Sequence, residues 1–147
     1  MNLFTCPGAP GPTRVRLYVA EKNAVQPVLQ VTEVVVNLQA GEQRQEPHLP
    51  RNPIGRVPVL EVEDGVFLSE SLAIIEYLEE CLPEPSMLGA TTLERARVRE
   101  LDRVAELRVL LPLSAGLCIQ RTRRWRGGPN RRWQTTAEAC CPLGWAS

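Results

Sequence analysis

The sequence predicts an α/β fold: a split unit with a β-α-β half and a β-β-α half, followed by an incomplete all-α region. Three observations carry this reading. Two short strand candidates, 2–5 and 31–36, flank a helical stretch, and the second is β-branched almost throughout. Asp64-Gly65 joins two further apolar runs, and Gly accepts the positive φ of a tight turn. After that hairpin, Leu72, Ile75, Leu78 and Leu82 recur at helical spacing.

The elements follow in order. Asn2-Leu3-Phe4-Thr5 is a strand, and Cys6 to Pro12 is a stiff loop rich in Pro and Gly. Pro12 suits the first helical position, where its missing N–H would be unpaired anyway. Residues 13–22 read as helix with Val15, Tyr18 and Val19 together, and Asn23 is expected to end it. Gly41 to Arg56 is polar and broken by Pro47, Pro50 and Pro53, so it reads as irregular with one short helical turn. Val57 to Val62 and Val66 to Leu68 are the hairpin strands, and Ser69 can cap the helix that follows. Pro83 and Pro85 end that helix. Thr91-x-x-Glu94 is a capping box for one more helix, with Leu93, Ala96, Leu101, Val104 and Ala105 as its apolar stripe and Pro112 as its stop. The expected organisation is a domain over 1–82, a linker over 83–90, a helix over 91–112 and an irregular tail over 113–147.

Composition narrows the function classes. The formal net charge is zero, so no global field marks a nucleic-acid binder. Residues 1–111 carry about −5 and residues 112–147 about +5, a shift that coincides with the loss of helical period. The Arg and Trp residues of that tail supply no recognisable nucleic-acid module. The abrupt change predicts a disordered or out-of-frame tail. The five cysteines are odd in number and form no C-x-x-C pair, so neither a zinc site nor a disulfide framework is expected. No run is long and apolar enough for a membrane span. Free thiols and the absence of a leader make a cytoplasmic protein the expectation.

Three stretches go beyond fold class: Cys6 through Lys22, Asn52-Pro-Ile-Gly-Arg-Val-Pro-Val-Leu-Glu61, and Leu68-Ser-Glu-Ser-Leu-Ala-Ile-Ile-Glu-Tyr-Leu78. In this order and spacing they resemble the N-terminal, thioredoxin-like domain of cytosolic glutathione transferases. The resemblance covers residues 1–82 well and 83–111 fairly. It implies a glutathione-binding domain in which Val57-Pro58 is a cis bond, presenting the Val57 backbone to the cysteinyl part of the ligand. It also implies that Glu70 and Ser71 bind the γ-glutamyl end, and that Arg56 reaches the glycyl carboxylate. The start of a helix favours an anion in its own right, through unpaired N–H groups and the dipole. Ordinary capping is the rival reading of Ser69, Glu70 and Ser71.

The family's reaction needs a thiolate, which a hydrogen bond to the charged form favours. Alignment puts Ala9 where relatives carry a donor, and alanine donates nothing. A branch of bacterial and fungal relatives with a similar Pro-Gly-Ala-Pro loop is thought to use a water instead. Cys6 and Thr5 are the remaining donors nearby, and His48 reads as a surface-loop residue. The function implied is glutathione S-transferase, joining glutathione sulfur to a small hydrophobic electrophile, with glutathione as co-substrate. The alternatives are a thiol oxidoreductase using Cys6 and a non-catalytic binding module. Neither metal, nucleic acid nor membrane is expected as a partner. Family members are typically homodimers, and the resemblance leaves the interface incomplete here.

Overall fold

The computed structural model describes residues 1–25, 27 and 29–113. The tail expected to be irregular lies, beyond Leu113, outside the described residues. The chain divides into two compact units, Met1–Thr92 and Leu93–Ser147.

In the first unit, β1 (Asn2–Thr5), α1 (Pro10–Val25) and β2 (Thr32–Val35) make the β-α-β half. A 3₁₀ turn follows at Glu42–Arg44, then β3 (Val59–Glu63), β4 (Val66–Ser69) and α2 (Ser71–Cys81). The sheet order is β2-β1-β3-β4. β1 runs parallel to β2, with Leu3 opposite Glu33, and antiparallel to β3, with Leu3 opposite Leu60. β3 and β4 form the expected hairpin. Gly65 sits at φ 75°, the conformation for which glycine suits the turn. The register slips between Glu61 and Glu63, a bulge in the strand leading to the turn.

Alternation along the strands divides the core between the two sheet faces. On one face Leu3 and Leu60 pack with Val15 and Tyr18 of α1 and Ile74 and Leu78 of α2. On the other, Phe4, Val36 and Val59 pack with the partly buried Val57 and Phe67. Helix α1 starts at Pro10 rather than Pro12. The first turn has no intrahelical use for its N–H groups, so both prolines fit there. Thr13 then returns two bonds to the Ala9 carbonyl, from its N–H at 3.0 Å and its hydroxyl at 2.8 Å.

Asn23 does not end α1, which continues to Val25. Its amide instead clasps the return loop: Nδ2 donates to the Leu29 carbonyl and Oδ1 accepts the Leu29 N–H, both at 3.0 Å. Leu29 is thereby held in the core. Asn23→Ala is expected to lower stability by about 1–2 kcal/mol, through two lost hydrogen bonds and a loosened Leu29. A urea unfolding midpoint unchanged from wild type would refute this.

Helix α3 spans Thr92–Ala105, all but its first residue in the second unit, and passes into a wide π turn at Glu106–Leu110. The Leu111 N–H reaches back five residues to the Glu106 carbonyl. Helical turns continue through Leu113, so Pro112 does not stop the helix. A proline ring would clash with the carbonyl four residues before it, and the wider turn removes that conflict.

Candidate functional site

The candidate site lies where the first turn of α1, the loop before β3 and the start of α2 converge. The Val57-Pro58 bond is cis. A Cβ placed on Gly11 would lie 3.2 Å from Pro58 Cδ and 3.6 Å from the Val57 carbonyl oxygen, so the helix start rests directly on this bend. Val57 is half-buried, Pro58 buried and Arg56 exposed.

The backbone ahead of the bend is pinned from behind. Asn52 Nδ2 donates to the Arg56 carbonyl at 3.0 Å, and His48 Nε2 faces the same oxygen at 3.0 Å. A carbonyl only accepts, which places the ring proton on Nε2. His48 is therefore not the surface-loop residue expected. It is 2 % exposed and meets the Phe4 ring edge-on. The Arg51 guanidinium covers that same ring at 4.2 Å. A loop that looks solvated in sequence folds inward because Phe4 offers it an apolar floor and Arg56 a carbonyl.

The start of α2 is unusual. Glu70, not Ser69, is the N-cap residue, while Ser69 belongs to β4. Glu70 sits at φ 70° and ψ 120°, the one non-glycine residue at positive φ among the described residues. Its carbonyl accepts the Ile74 N–H at 3.0 Å, yet its side chain makes no cap hydrogen bond. Capping therefore does not explain the residue choice. Such backbone outliers are costly by about 1–3 kcal/mol and cluster at functional sites. Beside it, Ser71 accepts a hydrogen bond from Arg14 Nη1 at 3.3 Å. Arg14 comes from α1 and was not among the residues singled out from the sequence. The available signal was its position on α1 next to Val15, which the core holds.

The α1 start is poorer in donors than most helix starts. Pro10 and Pro12 have no N–H, and the Thr13 N–H is used by Ala9. Gly11 alone keeps a backbone donor in that first turn. The Ala9 N–H bonds the Cys6 carbonyl at 3.1 Å. Cys6 is half-buried, and its thiol makes only a long contact of 3.8 Å to the Pro7 carbonyl. The Thr5 hydroxyl is fully buried with no hydrogen-bond partner among the described residues. Among those residues, no cluster of His, Cys, Asp or Glu could hold a metal ion. Nor is any described helix long and apolar enough to cross a membrane.

A second polar cluster lies behind the site. Lys22 and Glu79 form a buried ion pair at 2.7 Å. Tyr18 donates to the same carboxylate oxygen. The Met87 and Leu88 N–H groups reach the other oxygen at 2.8 and 3.3 Å. Lys22 also donates to the Leu82 and Pro85 carbonyls at 2.7 and 2.6 Å. Burial pushes the Glu79 carboxyl up, but Lys22, Tyr18 and the two amides outweigh it and hold the group below its ordinary value. Burial, then the carboxylate beside it, push the Tyr18 hydroxyl far above the usual tyrosine range.

Comparison with known proteins places this architecture. Residues 1–80 match the family described as glutathione S-transferase, N-terminal domain. Glutathione S-transferase 2 of Saccharomyces cerevisiae is 38 % identical over 114 residues, covering 78 % of this chain and 48 % of that protein. Maleylacetoacetate isomerase of Pseudomonas aeruginosa is 44 % identical over 101 residues, covering 67 % of this chain and 45 % of that protein. The crystal structure of Gtt2 from Saccharomyces cerevisiae superimposes with a TM-score of 0.65 at 37 % identity, covering 73 % of this chain and 50 % of that one. The chain thus spans about half the length of the curated relatives it matches.

Proposed function

Since the chain belongs to the glutathione S-transferase family through its N-terminal domain, we propose that this domain binds glutathione against the starts of α1 and α2. We further propose that the protein joins glutathione sulfur to small hydrophobic electrophiles. Glu70 is the observation that carries the reading: a strained N-cap residue whose carboxylate is not used for capping. It offers an acceptor for the ligand's ammonium group. The Ser71 hydroxyl and the unpaired N–H groups of the first α2 turn offer donors for the α-carboxylate next to it. The Val57 backbone supplies strand-like bonds for the cysteinyl unit. Arg56, exposed two residues ahead of Pro58, suits the glycyl carboxylate.

Rate enhancement would come from holding the thiol in place and from stabilising its anion. With Ala9 in the usual donor position, a bound water would serve as the donor, as the resemblance to relatives with a similar Pro-Gly-Ala-Pro loop implies. Cytoplasmic residence and a homodimeric assembly are part of the same reading.

Titration of the full chain with glutathione by calorimetry tests the proposal. Heat of binding should appear for wild type, and Ser71→Ala should weaken affinity about ten- to a hundredfold, the effect of one lost hydrogen bond to a charged group. Well-folded protein that gives no heat sinks the proposal. Binding without turnover of any electrophile would mark a binding module. Cys6→Ser should leave turnover within about twofold, because the thiol has only its long contact to Pro7. Loss of activity in that variant would instead establish a thiol oxidoreductase.

The Pseudomonas relative favours a second reading, a glutathione-dependent isomerase. An isomerase returns glutathione after each turnover, whereas a transferase consumes it. Measuring glutathione depletion during conversion of maleylacetoacetate separates the two.

A further inference from the structure

We propose that Arg14 is a positioning residue for the anion site at the start of α2: it occupies the Ser71 oxygen as donor, so that the Ser71 hydrogen points to the ligand carboxylate. This rests on the glutathione reading above and gives it a specificity device on α1.

A hydroxyl has one hydrogen and two lone pairs, whereas a guanidinium has donors only. The contact at 3.3 Å between Arg14 Nη1 and Ser71 Oγ therefore has a single sense, with Ser71 accepting. Its own hydrogen remains for a second partner. Ser71 is the first residue of α2, where the neighbouring N–H groups are donors too and cannot receive that hydrogen. An external acceptor is the partner that completes the set. The guanidinium donor also polarises the Ser71 O–H bond, which favours a carboxylate over a neutral oxygen or an ammonium group as its acceptor.

The geometry is held by packing as well. Arg14 is half-buried, and its neighbour Val15 is fully buried against the sheet with Ile74 of α2. The two helices are joined through that core, so the side chain spans a fixed gap between residues 57 apart in sequence. The carboxylate concerned is the α-carboxylate of the γ-glutamyl unit, which is bonded to the same carbon as the ammonium group assigned to Glu70 above.

A double-mutant cycle tests this on the full chain. Wild type, Arg14→Gln, Ser71→Ala and the double variant are titrated with glutathione. The same four are titrated with an analogue whose γ-glutamyl α-carboxylate is replaced by hydrogen. Each single variant should bind glutathione roughly tenfold more weakly, and the double variant also roughly tenfold rather than a hundredfold, because both act through one hydroxyl. The analogue should bind weakly and nearly equally to all four. Arg14→Lys, which keeps the charge without the planar fork, should fall between wild type and Arg14→Gln and carries the test if Arg14→Gln does not fold. Losses that multiply in the double variant, or that are equal for glutathione and the analogue, overturn the positioning role while leaving the glutathione reading intact. Wild type that binds neither ligand overturns both.

Discussion

Glu79→Ala is expected to destabilise the first unit by about 3–5 kcal/mol, the range for removing one partner of a buried ion pair. Lys22 is 2 % exposed and would lose its ion-pair partner, keeping the Leu82 and Pro85 carbonyls as acceptors. The Tyr18 hydroxyl and the Met87 and Leu88 N–H groups would lose their acceptor at the same time. Chemical denaturation reads the loss directly. The comparison that isolates the cause is Lys22→Met combined with Glu79→Leu, which removes both charges and fills the space. It should be less destabilised than either Lys22→Met or Glu79→Leu alone, since an apolar pair needs no desolvation. A double variant as unstable as the sum of the singles would show that packing rather than the uncompensated charge sets the effect.

The same pair makes stability depend on pH in a definite direction. The folded carboxyl of Glu79 titrates below its ordinary value. A group depressed in this way stabilises the fold above its unfolded pKa, near 4.3, and the contribution disappears as pH falls through the lower folded value. Wild type should therefore lose stability on acidification below about pH 4 more steeply than Glu79→Gln, whose side chain does not titrate. Parallel profiles for the two would assign the acid loss to other carboxylates.

Glu70→Gly is expected to move stability and binding in opposite directions. At φ 70° a side chain is strained, and glycine adopts the torsion more easily. Relief of about 1–3 kcal/mol of strain, partly offset by the greater entropy of glycine in the unfolded chain, should raise stability by roughly 1 kcal/mol. Loss of the carboxylate would remove the proposed charge-assisted contact to the ligand's ammonium group and should weaken glutathione roughly ten- to a hundredfold. Glu70→Gln separates the two effects, because it keeps the strained backbone and loses only the charge. It should lose binding without gaining stability. Unchanged affinity in both variants would remove Glu70 from the site.

Val57-Pro58, Glu70 and Ser71 entered as site candidates through the family resemblance, and local chemistry by itself favoured ordinary capping at Glu70 and Ser71. Asp64-Gly65 declared its turn through the torsion glycine allows. The residues that escaped notice are those whose role depends on a partner far along the chain. Arg14 reads as a solvated helix residue until α2 brings Ser71 to it. His48 reads as a loop residue until Phe4 and the Arg56 carbonyl surround it. Lys22 carried a faint signal, since it follows Val15 and Tyr18 along the buried face of α1. A charge on an apolar stripe needs a partner, but nothing in the local sequence says that the partner is Glu79.

Taken by itself, the sequence determined the order of the elements, the hairpin and the extent of the apolar faces, which follow from periodicity and turn chemistry acting over a few residues. The family resemblance of the first domain rested instead on three motifs in their order and spacing. Only the tertiary structure decided which charges are buried, that Glu70 rather than Ser69 caps α2, and that Arg14 reaches Ser71. Desolvation and backbone strain depend on what surrounds a residue, and here the surroundings come from segments about 60 residues away. Those contacts exist only once α1 and α2 have closed onto the same face of the sheet.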